Sequence, residues 1–104
     1  MSDAIMVVKT NPVDGREDEF NAWYSNEHVP EILAVPGFVG ARRYVALEDP
    51  ADAGDPGFRY VAIYEIEGSV PEALAALGAA GIAPGPAMDE RTSVAVYSSF
   101  PPVS

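Results

Sequence analysis

Apolar residues recur along the 104 residues in two rhythms, a period of two in four short runs and a helical spacing in two others. Residues 4–10 (AIMVVKT) are short and β-branched, and Asn11-Pro12 ends them because proline cannot donate into a ladder. They predict a first strand. Asp14 stands three residues before Glu17, a capping-box-like start for a helix carrying Phe20, Trp23, Tyr24, Glu27 and His28 at near-helical spacing. Pro30 disfavours helical geometry at Val29, so the helix is expected to stop or kink there, with a short turn over 31–34 and His28 at the helix end. Pro36-Gly37 signals a turn into a second strand at 38–47 (FVGARRYVAL), and an acidic Pro/Gly loop over 48–57 leads to a third strand at 58–67. Ser69, with Glu72 three residues on and a proline between them, opens an alanine-rich helix reaching Leu77 or Gly78. Residues 82–87 (IAPGPA) hold too much Pro and Gly for regular structure, and 92–100 (TSVAVYSSF) form a fourth strand.

The order β-α-β-β-α-β is the split βαβ, ferredoxin-like arrangement of an α+β protein, with both helices on one face of a four-stranded antiparallel sheet. Alternation along the third strand sets Phe58, Tyr60, Ala62, Tyr64 and Ile66 against Arg59, Val61, Ile63 and Glu65. The second strand divides the same way, Phe38, Gly40, Arg42, Tyr44 and Ala46 against Val39, Ala41, Arg43, Val45 and Leu47. Neither side of either strand is cleanly polar, so the face without helices needs a cover. A second copy of the same sheet is the simplest one, and a homodimer is expected.

Composition bounds this reading. A chain of 104 residues, 48% apolar and 21% charged, fits one globular domain spanning 1–104. No apolar stretch approaches the length of a membrane span, and the N-terminus lacks a basic segment followed by a long apolar one, so neither membrane insertion nor export is expected and the cytoplasm is the expected location. Sixteen acidic residues against six basic give a formal charge of −10, a field that repels phosphate backbones and argues against a nucleic-acid partner. Zero cysteines exclude disulfides, thiolate metal sites and a cysteine nucleophile, and one histidine leaves little for an imidazole metal cage. Chemistry without metal or cofactor is the expectation. The acidic loop lacks the ligand spacing and terminal Glu that calcium requires.

The densest chemistry is the segment WYSNEHVPEILAVPGF, which concentrates two aromatics, two carboxylates and the single histidine in one helix and its exit. Imidazole changes charge near neutral pH, which makes His28 the best proton-transfer group available, with Tyr24 one turn before it and Glu31 three residues after. A competing role for His28 is to end a helix by meeting its last carbonyls. Asn11 could orient a carbonyl or make the turn before Pro12, and Trp23 could pack or form a substrate platform. Arg42 and Arg43 are adjacent and point to opposite faces, so one of them can meet a carboxylate or enolate while the other faces solvent; alternation alone leaves open which, and Arg43 is taken as the candidate. Tyr44, Tyr60, Tyr64 and Tyr97 offer phenols that could stabilise an oxyanion or simply edge the core. Residues 82–87 have the flexibility of a lid and equally that of an ordinary connection.

The run W-Y-x-x-E-H-V-P-E-I-L-x-V-P-G-F followed by A-R-R-Y resembles the EthD-like branch of the dimeric α/β barrel superfamily, over about residues 5–47. The resemblance implies a homodimer and places Tyr24, His28 and Pro30 on an aromatic-x-x-x-His-x-Pro pattern at the end of the first helix. Such proteins include cofactor-free lactone isomerases, polyketide cyclases and small monooxygenases, so the fold alone does not assign a reaction. A second histidine, used by some cyclases, has no counterpart here. The leading expectation is a cofactor-free isomerase-, cyclase- or lyase-type enzyme with His28 and Tyr24 as catalytic residues, acting on a small apolar carbonyl, aromatic or polyketide-like metabolite. The alternatives are a quinone-forming monooxygenase and a non-catalytic dimer that binds a hydrophobic ligand or stabilises a neighbouring enzyme.

Overall fold

In the computed structural model, which describes residues 4–47 and 57–101, strand alternation decides which side chains meet the helices. Strand β1 (Ala4–Thr10) buries every second residue, so Ala4, Met6, Val8 and Thr10 face the helices while Ile5, Val7 and Lys9 face away. Strand β3 (Tyr60–Ile66) pairs antiparallel with β1, Val7 opposite Ile63, and turns Tyr60, Ala62, Tyr64 and Ile66 inward. Strands β2 (Phe38–Val45) and β4 (Ser93–Ser98) complete a four-stranded antiparallel sheet in the order β2-β3-β1-β4. The fold is the expected α+β, ferredoxin-like one. All of the acidic loop over 48–57 except Gly57 lies outside the described residues.

Three local expectations are corrected. First, the pairing of β2 with β3 slips between Phe38 and Gly40, a bulge that absorbs Val39. Phe38 therefore faces the helices together with Ala41, Arg43 and Val45, and the phase read from strict alternation breaks at that one residue. Second, Asp14 does not cap the first helix. The N–H of Arg16 instead meets the carbonyl of Val13 at 3.0 Å in a turn, and helix α1 (Glu17–Trp23) starts after Arg16 with no side-chain cap, its first turn holding Glu17, Asp18 and Glu19 against the positive end of the helix.

Third, the first helix does not end at Pro30. It widens into a π turn at Tyr24–His28 and continues as α2 (Val29–Leu33), with helical backbone angles at both junctions. The N–H of Val29 reaches back five residues to the carbonyl of Tyr24, and Pro30 then falls at the start of the next segment, where a missing N–H does least harm. His28 is thus within a helix rather than at its end.

Helix α3 (Val70–Ala80) follows the sequence closely: the Ser69 side chain accepts from the N–H of Glu72 at 3.2 Å. It lies close over the turn before β2, where a Cβ on Gly37 would stand 2.7 Å from that of Ala73. The core gathers between helices and sheet around Phe20, Tyr24, Ile32, Phe38, Tyr64 and Ile66. On the opposite face the described residues include no covering element, and Tyr44 and Tyr97 are half exposed there. No helix of the described residues is long and apolar enough to cross a membrane.

Candidate functional site

The π turn sets two rings side by side on the sheet-facing side of the helix. Tyr24 and His28 meet edge to face with centroids 4.8 Å apart, and Trp23 stacks on His28 at 4.6 Å. The three intervening residues, Ser25, Asn26 and Glu27, are exposed. The widened turn thus presents its intervening residues to water and the ring of Tyr24 to the interior.

His28 Nδ1 is buried and has no hydrogen-bond partner, the only such side-chain atom among the described residues. Burial pushes the imidazole below its usual pKa, and Arg43 pushes the same way, while the nearby Glu31 opposes them without prevailing. The ring is therefore neutral at neutral pH. Tyr24 is fully buried, and its phenol oxygen accepts from the Tyr64 hydroxyl at 3.3 Å. Burial raises the Tyr24 pKa, against the Tyr64 hydrogen bond and the charge on Arg43; the Tyr64 phenol is driven far up by burial and by Tyr24. Both phenols stay protonated.

Arg43 lies behind this pair. Its guanidinium is 4.4 Å from the Tyr24 ring centroid and within 5.5 Å of those of Phe20 and Tyr60. It donates to Asn21 Oδ1 at 2.9 Å and Ser25 Oγ at 3.0 Å, two residues one turn apart on the helix. Asn21 in turn donates to the Tyr60 hydroxyl at 3.1 Å, and Tyr60 donates to the Glu17 carboxylate, which Arg59 also meets at 3.0 Å. The hydrogen bonds from Tyr60 and Arg59 hold Glu17 below the ordinary carboxylate range.

A cavity of about 210 Å³ opens in front of Tyr24 and His28. Its floor is Met6, Val8 and Val94 of the sheet, its walls Ile32 and Leu77 of the helices, and its rim Ile82 and Met88 of the irregular segment after α3. Besides the Tyr24 phenol and the His28 imidazole, only the hydroxyls of Thr10 and Thr92 bring nitrogen or oxygen side-chain atoms to the lining. Val94 and Val96 pair with Val8 and Met6 on the helix-facing side of β4 yet are 58% and 37% exposed, so the mouth is at this edge of the sheet.

The residues named from the sequence divide accordingly. Tyr24 and His28 line the cavity, and Trp23, Tyr64, Tyr60 and Arg43 support that pair from behind or beside it without lining it. Of the two arginines, Arg43 faces the helices and Arg42 the open face. Tyr44 and Tyr97 are on the open face, remote from the cavity lining, because they pair with Val61 and Ile5, whose side chains point away from the helices. Asn11 acts as a local clamp: its Oδ1 accepts from the N–H of Arg59 at 2.8 Å and its amide donates to the carbonyl of Gly57. Sequence reasoning missed Asn21, Ser25, Thr10 and Thr92. Strand alternation could have found Thr10, a single hydroxyl in a buried row of Ala4, Met6 and Val8, and the i, i+4 spacing could have linked Asn21 to Ser25. Among the described residues no group of three or more His, Cys, Asp or Glu is placed to hold a metal ion.

No protein-family model matches this sequence, and no curated protein is significantly similar to it. Solved structures that share the fold include a candidate monooxygenase from Shewanella loihica PV-4, with a TM-score of 0.63 at 15% identity, covering 96% of this chain and 97% of that one. An EthD family protein from Bacillus halodurans C-125 superposes with a TM-score of 0.57 at 16% identity, covering 96% of this chain and all 100% of that one. At such identities the likeness is one of fold, and it is the fold that the aromatic-x-x-x-His-x-Pro resemblance implied.

Proposed function

We propose that the chain is an EthD-like protein working as a homodimer, a cofactor-free enzyme in which His28 moves a proton on a small apolar carbonyl, aromatic or polyketide-like metabolite. One observation carries the reading: a neutral imidazole with an unpartnered buried Nδ1, on the wall of an apolar cavity. The imidazole is the one group of this lining that changes charge near neutral pH, and no hydrogen bond fixes its Nδ1. Tyr24 complements it. Because its oxygen accepts from Tyr64, its own proton is free for a ligand oxygen, and the guanidinium behind its ring favours negative charge developing there. In an isomerisation, cyclisation or lactone rearrangement, His28 takes a proton from the carbon beside the carbonyl, Tyr24 donates to the resulting enolate oxygen, and His28 returns the proton elsewhere on the substrate. Replacing His28 with Ala should lower turnover of an accepted substrate by about 10²- to 10⁴-fold. Activity that survives the change would overturn the role.

The fold shared with a candidate monooxygenase favours a second reading that begins with the same step. Deprotonation by His28 would give an electron-rich phenolate that reacts with dioxygen, one oxygen atom entering the ring to form a quinone and the other leaving as water. An oxygen electrode separates the two, since only this reaction consumes one O₂ per turnover.

The dimer rests on the open face of the sheet, where Val7, Val61 and Ile63 form an apolar centre flanked by half-exposed Tyr44 and Tyr97. A second copy presents the same surface and would cover it. Sedimentation as an 11.0 kDa monomer at micromolar concentration would exclude this assembly.

A further inference from the structure

We infer that the cavity takes an uncharged single-ring molecule carrying one hydrogen-bonding oxygen, a simple phenol or its cyclic enol equivalent, and rejects carboxylates and three-ring compounds. The inference rests on the reading of this cavity as the ligand site, and it narrows the wide metabolite class given above.

Size comes first. An apolar protein cavity of about 150 Å³ accommodates one benzene molecule. The space in front of His28, about 210 Å³, is larger by roughly the volume of two or three further heavy atoms on such a ring. A methylated phenol fits within it. Three fused rings would have to extend past Val94 and Val96 into solvent, or displace the rim at Ile82 and Met88.

Charge comes second. None of the lining residues is Asp, Glu, Lys or Arg. Arg43 is no substitute, since it stands behind the Tyr24 ring with its nitrogens on Asn21 and Ser25. A carboxylate inside would lose its water without gaining a counter-ion, and the protein's net charge of −10 already disfavours its approach. Polarity is also localised. The rings of His28 and Tyr24 are in contact on one wall, the hydroxyls of Thr10 and Thr92 are the other polar groups of the lining, and Met6, Val8, Leu77, Ile82 and Val94 supply most of the rest. One oxygen at His28 and Tyr24, with an apolar ring beyond it, satisfies both parts of this wall.

The test uses the full chain and four probes: 4-methylphenol, toluene, 4-methylbenzoate and 2-hydroxyanthracene. Trp23 is the single tryptophan and stacks on His28, so its fluorescence reports binding, and amide chemical shifts of Thr10, Ile32 and Val94 locate it. The expected result is that 4-methylphenol shifts the cavity amides and binds about tenfold or more tightly than toluene, the equivalent of one hydrogen bond. The carboxylate and the three-ring phenol should leave those amides unmoved. If 4-methylbenzoate or 2-hydroxyanthracene binds in the cavity as well as 4-methylphenol, the ligand class is wrong while the cavity stands as the site. Equal affinity for toluene removes the hydrogen-bonding requirement. If no probe moves the cavity amides, both the class and the assignment of the site fall.

Discussion

Gly85→Ala is the sharpest test of how the irregular segment after α3 is joined to the candidate site. The φ angle at Gly85 lies outside the left-handed region, so alanine meets no backbone penalty there. The obstacle is one of contact. An added Cβ would stand 2.5 Å from Cε2 and 2.6 Å from Cδ2 of Trp23. Carbon atoms in contact prefer separations of about 3.5–4.0 Å, so the indole or the segment must withdraw by about 1 Å. The indole has little freedom to do so, with Tyr24 at its edge and His28 stacked on it at 4.6 Å. Overpacking of this kind costs about 1–3 kcal/mol. For a domain of this size each kcal/mol lowers the melting temperature by roughly 4–8 °C. The assay is thermal and urea unfolding of four proteins at one concentration: wild type, Gly85→Ala, Trp23→Ala and the double variant. Fixing the concentration keeps any dimer equilibrium constant across the set. With Trp23 removed the clash has no partner, and Gly85→Ala should then be neutral, or stabilising by about 0.4–1 kcal/mol through the restricted unfolded chain. An equal cost in both backgrounds would refute the contact as its cause.

Three further outcomes follow from the geometry. Burial holds the folded imidazole of His28 below the ordinary value near 6.5, so as pH falls through that value the unfolded chain takes up the proton first and stability declines until the lowered folded value is passed. Urea titrations between pH 7.5 and 5 should show this acid-side loss in the wild type and a smaller one in His28→Gln. Tyr64→Phe removes the hydroxyl that donates to Tyr24 and should cost about 0.5–1.5 kcal/mol in denaturant unfolding, while also weakening any phenol bound at Tyr24. Arg43→Lys keeps the charge but loses the planar fork that joins Asn21 to Ser25 over the aromatic faces, so it should destabilise the fold and shift the Asn21 side-chain amide resonances; an unchanged melting curve and spectrum would count against that network.

How much of this was legible in the sequence depends on whether a residue obeys its local rule. The buried alternation of β1 and β3 and the Ser69 cap could be read directly, because each depends on neighbours two or three positions away. The phase of β2 could not. One residue, Val39, is absorbed in a bulge, and that slip decides that Arg43 and not Arg42 reaches the helices. The continuation of the first helix through Pro30 was hidden for a similar reason, since a π turn cancels a proline penalty by shifting one hydrogen bond from Val29 to the carbonyl of Tyr24. The open-face placement of Tyr44 and Tyr97 comes from strand pairing, which composition does not encode.

The departures from local rules are not scattered. A π turn at Tyr24–His28, a proline just after it, a buried imidazole nitrogen with no partner, a glycine pressed on the Trp23 ring and an arginine seated on aromatic faces all belong to one continuous cluster. Each departs from the preference of its local sequence, and the unpaired nitrogen costs about 1–3 kcal/mol alone. Sequences elsewhere in the chain keep local preference and fold in agreement, as in the capped α3 and the alternating β1. Concentrated inconsistency of this kind is what a binding or catalytic centre leaves in an otherwise consistent fold. It points to the candidate site at His28 without reference to any relative, and it predicts that a neutral phenol filling the cavity raises the melting temperature in proportion to its affinity for the folded chain.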